Sequence, residues 1–167
     1  MSRLISSAVS RILVALILFS LTGCSGTTAV AVAEPPIMRN NITGEPLEFS
    51  GLNETETPAV KQFKATGKNP YNTDREAIAK GGAVYLTACS ACHGHHAEGK
   101  IAPALIDDYW TYPMNTTDIG LFSSTYAGLQ GMMGPSKGRL TQDEILQLMA
   151  WIRSNYKGDP AKAEWNH

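Results

Sequence analysis

The chain is poor in cysteine, with three in 167 residues, and these are unevenly placed: Cys24 stands far upstream of Cys89 and Cys92. So few thiols cannot build a disulfide-stapled scaffold. A structural zinc site needs about four Cys or His ligands, and the only cysteine beyond the close pair is remote from it. Charged side chains are also scarce, at 17% with a formal net charge of −1. Such weak acidity provides no electrostatic footprint for nucleic acid. No apolar run approaches the about 20 residues that a membrane-spanning helix needs. There are no internal repeats, and no βαβ alternation surrounds the cysteine pair, which argues against a thioredoxin-like motif. A hydrophobic content of 43% in a chain of this length fits one small globular domain with processed or irregular ends.

The N-terminus has the pattern of an export leader: Arg3 and Arg11, the short apolar run from Ile12 to Leu21, then Leu21-Thr22-Gly23-Cys24. That last tetrapeptide resembles a bacterial lipobox, which would make Cys24 a lipidated mature N-terminus tethered to a membrane surface. Cleavage after Ala31-Val32-Ala33, releasing a soluble periplasmic protein, is the alternative. We read Cys24 as the site because it directly follows the apolar run, whereas Ala33 lies well beyond it. Residues 1–23 are then the leader and 24–41 a tether. Without Arg3 and Arg11, 12 basic side chains remain against 15 acidic ones, a formal charge of −3.

Cys89-Ser90-Ala91-Cys92-His93 is a CxxCH motif, the attachment signature of a c-type haem. Two thiols at this spacing can each add across a haem vinyl group, and the following imidazole can reach the iron from one face. Cys89 and Cys92 are therefore the expected covalent attachment sites of a single haem, and His93 its proximal iron ligand. No thiol is left for a disulfide.

Residues 42–72, rich in Pro, Asn, Gly, Thr and Glu, read as an irregular extension lying on a core, with one short helix around Pro58 to Ala65. From Thr73 the pattern becomes helical. Asp74 to Ala88 reads as a helix capped by Thr73 or Asp74. Gly81, Tyr85, Cys89 and His93 follow at spacings of four, placing the first three on one helical face. A second helix begins at the capping box Thr141-Gln142-Asp143-Glu144 and continues with Ile145, Leu148, Met149, Trp151 and Ile152 until Lys157-Gly158-Asp159-Pro160 stops it. Gly81 and Gly82 weaken the first helix by roughly 1 kcal/mol each relative to Ala. Close approach of the second helix, with Leu148 and Trp151 against Gly81 and Tyr85, would compensate. Residues 159–167 form a C-terminal tail.

These positions resemble the class I cytochromes c. The resemblance implies an all-α fold around one covalent haem, carried by residues 73–158, with its terminal helices crossing near a haem edge. For so short a chain the haem is part of the core. The second axial ligand separates an electron carrier from an open iron site. His95 and His96 lie too close to His93 to reach the opposite face, and His167 sits at the terminus. Gly131-Met132-Met133-Gly134-Pro135 falls where this class carries its axial methionine, and glycine and proline permit the irregular backbone required. Met133 is preferred, with Met132 and then Met114 as alternatives; the bland reading is core methionines filling gaps. Pro103 resembles the proline whose carbonyl orients the proximal imidazole. Leu105 would pack on the ring, and Trp110, Tyr112 and Tyr126 are candidate propionate donors or half-buried core.

A narrower resemblance is carried by Gly67 to Asn72, the segment CSACHGHHAEGKIAPAL at residues 89–105, Asp107 to Pro113, Asn115 to Phe122 and Gly131 to Pro135. These look like cytochrome cL, including its counterpart in lanthanide-dependent systems. The resemblance implies electron transfer from a pyrroloquinoline-quinone methanol dehydrogenase to a small soluble cytochrome c, with no substrate chemistry. Ser136 stands where some members have histidine, which removes a rival iron ligand. A general membrane-tethered carrier serving a terminal oxidase or another quinoprotein dehydrogenase is the alternative; a haem enzyme or gas sensor is a third reading. The pair Asp107-Asp108 is a candidate calcium contact beside the plainer reading of a solvated acidic loop.

Overall fold

The computed structural model describes residues 34–166; the leader, Cys24, the Ala33 cleavage site and His167 lie outside the described residues. Helices dominate, and the only strand-like pairings among the described residues are two isolated bridges. Helix α1, Pro58–Thr66, starts with Thr57 accepting from the Val60 N–H and ends at left-handed Gly67. Its buried face is Ala59, Val60 and Phe63. Helix α2, Arg75–Ala88, is capped by the Asp74 carboxylate, which accepts from the Glu76 and Ala77 amides. The single helical turn α3, Ser90–His93, breaks away from α2 at Cys89.

Helix α4, Asp118–Ala127, has no counterpart in the sequence reading. Thr117 caps it, and every side chain from Leu121 to Tyr126 is buried. A helix enclosed on all faces lacks the alternation of apolar and polar residues that betrays a surface helix. Helix α5, Gln142–Ser154, opens with the expected Thr141/Glu144 capping box. It ends earlier than expected. The Asn155 side chain donates to Trp151 O at 2.8 Å, so Asn155, not the Lys157–Pro160 segment, closes the helix.

The α2–α5 crossing is set by backbone contact. A Cβ on Gly81 would lie 1.9 Å from the Gln147 carbonyl oxygen and 2.9 Å from Leu148 N, so only hydrogen fits there. One turn later Tyr85 stacks on Trp151 with ring centroids 4.3 Å apart.

Helix α5 feeds two apolar clusters. Ile145, Leu146 and Met149 join Val60, Phe63, Leu121, Phe122 and Tyr126 in the first; Leu148 and Ile152 join Tyr85, Ala97 and Ile106 in the second. The extension completes the first cluster. Met38 is buried in it, and Asn41 Nδ2 donates to Gly120 O at 2.9 Å and Ser124 Oγ at 2.7 Å. Packing thus begins before residue 42, and residues 38–41, assigned above to the tether, belong to the folded unit. Glu54 accepts from the Gln142 amide at 2.7 Å and its side chain at 2.8 Å, tying the extension to the start of α5.

The C-terminal segment also folds back. Trp165 lies on the Arg153 guanidinium at 3.8 Å, and Arg153 Nε is 3.7 Å from Asp118 Oδ1 in a buried ion pair. Burial raises the Asp118 carboxyl and lowers Arg153 to about 10, so desolvation outweighs mutual attraction on both sides of the pair.

Candidate haem site

Helix α2 delivers Cys89, and α3 places Cys92 and His93 within the next turn, with the His93 amide donating to Cys89 O at 3.0 Å. Two hydroxyls stiffen this junction. Ser90 Oγ donates to Leu86 O at 2.7 Å, and the buried Tyr85 hydroxyl donates to Gly94 O at 2.7 Å.

The chain then reverses tightly. Gly94, Ala97 and Gly99 all adopt positive φ, and a Cβ on Gly99 would meet Ala104 N at 2.9 Å. The Gly99 amide donates to His93 O at 2.7 Å, Ala102 to Cys92 O at 3.0 Å and Leu105 to Ala97 O at 2.8 Å. This folding-back carries the Pro103 carbonyl to 2.8 Å from His93 Nδ1. A carbonyl only accepts, so Nδ1 bears the proton and the lone pair is left on Nε2. The imidazole is thereby held as an oriented metal ligand.

Cys89 and Cys92 are both half-buried and free. Burial, opposed by nearby Arg139 and reinforced by Cys92, pushes the Cys89 thiol up to about 11. Such a shift runs opposite to the activated thiolate that a disulfide oxidoreductase needs. Cys89 and Leu105 border the second apolar cluster, together with Leu140.

The two loop methionines differ sharply. Met132 is 84% exposed, whereas Met133 is half-buried. Met133's carbonyl accepts from the Leu129 amide at 2.8 Å, and the Ser136 and Lys137 amides donate to Thr125 O and Tyr126 O at 3.1 Å. The loop is thus fastened to the end of α4. Met114 is 40% exposed on the 3-10 turn Pro113–Thr116, and Met38 and Met149 are core.

Other expected residues serve different partners. Of its two expected readings Tyr126 takes the core position: its hydroxyl donates to Glu48 O at 2.8 Å and its ring stacks on Phe122. Trp110 packs against the first cluster, with Arg153 5.3 Å above its ring. Tyr112 is half-buried beside the Pro113 turn. Asp108 accepts from Tyr156 Oη at 2.5 Å, the Asp159 amide at 2.8 Å and Lys162 Nζ at 3.2 Å, and these donors hold its carboxyl below the usual range. Its oxygens are spent on the C-terminal tail, and no group of three or more His, Cys, Asp or Glu among the described residues is arranged to hold an ion. Sequence reasoning missed the Tyr85 hydroxyl, the Glu48 carbonyl and Arg139; backbone acceptors leave no mark in residue identity.

Paired thiols on one turn, an imidazole oriented through Nδ1 and a fastened methionine loop fit a covalent haem. The chain is a class I c-type cytochrome, an electron-transfer protein with one haem c and not an enzyme. It is 47% identical over 150 residues to cytochrome c-L of Methylorubrum extorquens, covering 84% of this chain and 76% of that relative. The chain belongs to the cytochrome cL family.

Crystal structures agree. Cytochrome cL from Methylophaga aminisulfidivorans is 54% identical with a TM-score of 0.76, covering 78% of this chain and 87% of that one. Cytochrome cL from Hyphomicrobium denitrificans is 49% identical with a TM-score of 0.74, covering 78% and 80% respectively. The family model described as cytochrome c oxidase, cbb3-type, subunit III matches residues 76–152. Among the described residues no helix is long and apolar enough to cross a membrane.

Proposed function

We propose that this protein accepts single electrons from a pyrroloquinoline-quinone methanol dehydrogenase in the periplasm and passes them to a small soluble cytochrome c. Cys89 and Cys92 would hold the haem through thioethers, and His93 Nε2 and Met133 Sδ would bind its iron. The observation that carries this reading is the 2.8 Å contact from His93 Nδ1 to Pro103 O, set against a half-buried Met133 in a fastened loop.

A haem c held there supplies reversible one-electron exchange between ferric and ferrous iron. The rest is done by the protein. Pro103 fixes the imidazole's orientation and increases its basicity as a ligand. The thioether of Met133 favours the ferrous state, which raises the potential and suits an electron acceptor. With His93 and Met133 both bound, the iron would serve electron exchange rather than substrate binding. The family resemblance supports methanol dehydrogenase as the donor.

Cys24, outside the described residues, is the proposed lipid attachment, tethering the domain to the membrane surface; cleavage at Ala33 is the alternative. Mass spectrometry of the mature N-terminus separates the two. For the function itself, the ferric protein is mixed with reduced methanol dehydrogenase in a stopped-flow instrument. Haem reduction is expected to be much faster than for an unrelated c-type cytochrome under the same conditions. Equal rates would reduce the reading to a general carrier.

A further inference from the structure

We propose that the N-terminal extension braces the axial-methionine loop, with the main-chain carbonyl of Glu48 as the point of attachment. This rests on the assignment of Met133 as an iron ligand. Glu48 O accepts two hydrogen bonds of 2.8 Å, one from the Tyr126 hydroxyl and one from Lys137 Nζ. Tyr126 lies at the end of α4, and Lys137 is where the chain leaves the methionine loop. The same two residues are joined directly, because the Lys137 amide donates to Tyr126 O at 3.1 Å.

One carbonyl of the extension therefore gathers both margins of the loop. Between them the backbone is in close contact. A Cβ on Gly128 would lie 2.8 Å from Met133 O, so the methionine's own peptide is seated against the segment that follows α4. Gly131 and Gly134, by contrast, have open space around them. Within the loop the Leu129 amide donates to Met133 O at 2.8 Å and the Gly134 amide to Met132 O at 3.1 Å, and the rest of its hold comes from its fastened ends.

The brace is itself anchored. Phe49 packs on Tyr126 and Phe122 at centroid distances of 5.1 and 6.3 Å, with Lys64 Nζ 4.3 Å above its ring. The Leu47 amide donates to Met38 O at 2.9 Å, and Met38 is in the core. A thioether is a weak ligand, retained when the backbone that presents it is already ordered. When imidazole displaces Met133, an iron–nitrogen bond replaces the iron–sulfur bond and the loop lifts. Lifting is easier when the Glu48 contacts are missing.

The test uses the ferric holoprotein and imidazole, followed by loss of the sulfur-to-iron charge-transfer band. Removing an ordinary hydrogen bond changes such an equilibrium by about fivefold, and less at an exposed charged group. Tyr126→Phe should bind imidazole about fivefold more tightly and Lys137→Met about twofold more tightly, by the same reasoning. Lys137→Arg, which keeps a donor, should return close to wild type, and the midpoint potential should fall in the same order as imidazole affinity rises. Lys137 is exposed, so Lys137→Met carries the test alone if Tyr126→Phe does not fold. Unchanged imidazole affinity and potential in the variants, with the band present in the wild type and lost in Met133→Ala, would overturn the brace and leave the axial assignment standing. A wild type without the band, or a Met133→Ala variant that keeps it, overturns the axial assignment and the brace with it.

Discussion

Replacing Gly81 by alanine adds one methyl group at the tightest point of the fold. The new Cβ would lie 1.9 Å from the Gln147 carbonyl oxygen and 2.3 Å from its carbon. Normal contact needs about 3.4 Å, so α2 and α5 must part locally by about 1.5 Å, and neither overlapping atom can rotate away because both are backbone. Overpacking of this kind costs about 1–3 kcal/mol. Parting the helices also loosens Leu148 and the Tyr85–Trp151 stack, which puts the cost at or above the upper end of that range. Better helix propensity returns about 1 kcal/mol. The net expectation is a loss of about 2 kcal/mol, or about 8 °C in Tm for a domain of this size. The neighbouring Gly82→Ala is the milder comparison: its Cβ would approach Trp151 Nε1 at 2.8 Å and Cδ1 at 2.9 Å, a side chain that yields only by disturbing its stack on Tyr85. There the propensity gain offsets part of the cost, and the loss should be smaller than in Gly81→Ala, about 1 kcal/mol. Denaturant unfolding of the holoprotein, followed by circular dichroism, measures both. A Gly81→Ala variant as stable as wild type would refute the claim that backbone contact sets this crossing.

Tyr85→Phe removes the hydroxyl that donates to Gly94 O at 2.7 Å and leaves that buried carbonyl only the longer bond from the Ala97 amide at 3.3 Å, so it should cost about 1 kcal/mol in the same unfolding assay. For Asp108 the Tyr156 hydroxyl first, then the Asp159 amide and Lys162, lower the folded-state pKa. Its contribution is therefore present above the ordinary aspartate range and is lost as pH falls through the lowered folded value. Asp108→Asn should be less stable than wild type at neutral pH and converge with it under strong acid; a gap that does not vary with pH would contradict the proposed clasp on the tail.

The terminal helices were legible because their signals are local. Asp74 and the Thr141/Glu144 box mark helix starts by short-range hydrogen bonding, and Ile145, Leu148, Met149 and Ile152 declare a buried stripe by their spacing. Helix α4 was hidden because enclosure by α5, α1 and the extension buries polar Ser123, Ser124 and Thr125 along with Leu121, Phe122 and Tyr126, so no apolar stripe stands out. The Asp118–Arg153 pair and the Trp165 cap join residues far apart in sequence, and neither has a periodic signature. At the site, CxxCH announces itself chemically, whereas the position of Pro103 came from family resemblance. The physical reason for that position is the run of positive φ at Gly94, Ala97 and Gly99, of which alanine offers no warning. The Tyr126 hydroxyl's bond could not be read from sequence because its partner is a main-chain carbonyl, which every residue possesses.

The central claim is an iron closed on both faces by His93 and Met133, and it is tested most directly by the ferric absorption spectra of Met133→Ala and Met132→Ala. The account predicts that the sulfur-to-iron charge-transfer band survives in Met132→Ala, whose methionine is 84% exposed, and disappears in Met133→Ala. Survival of the band in Met133→Ala, or rapid carbon monoxide binding by the reduced wild type, would contradict it.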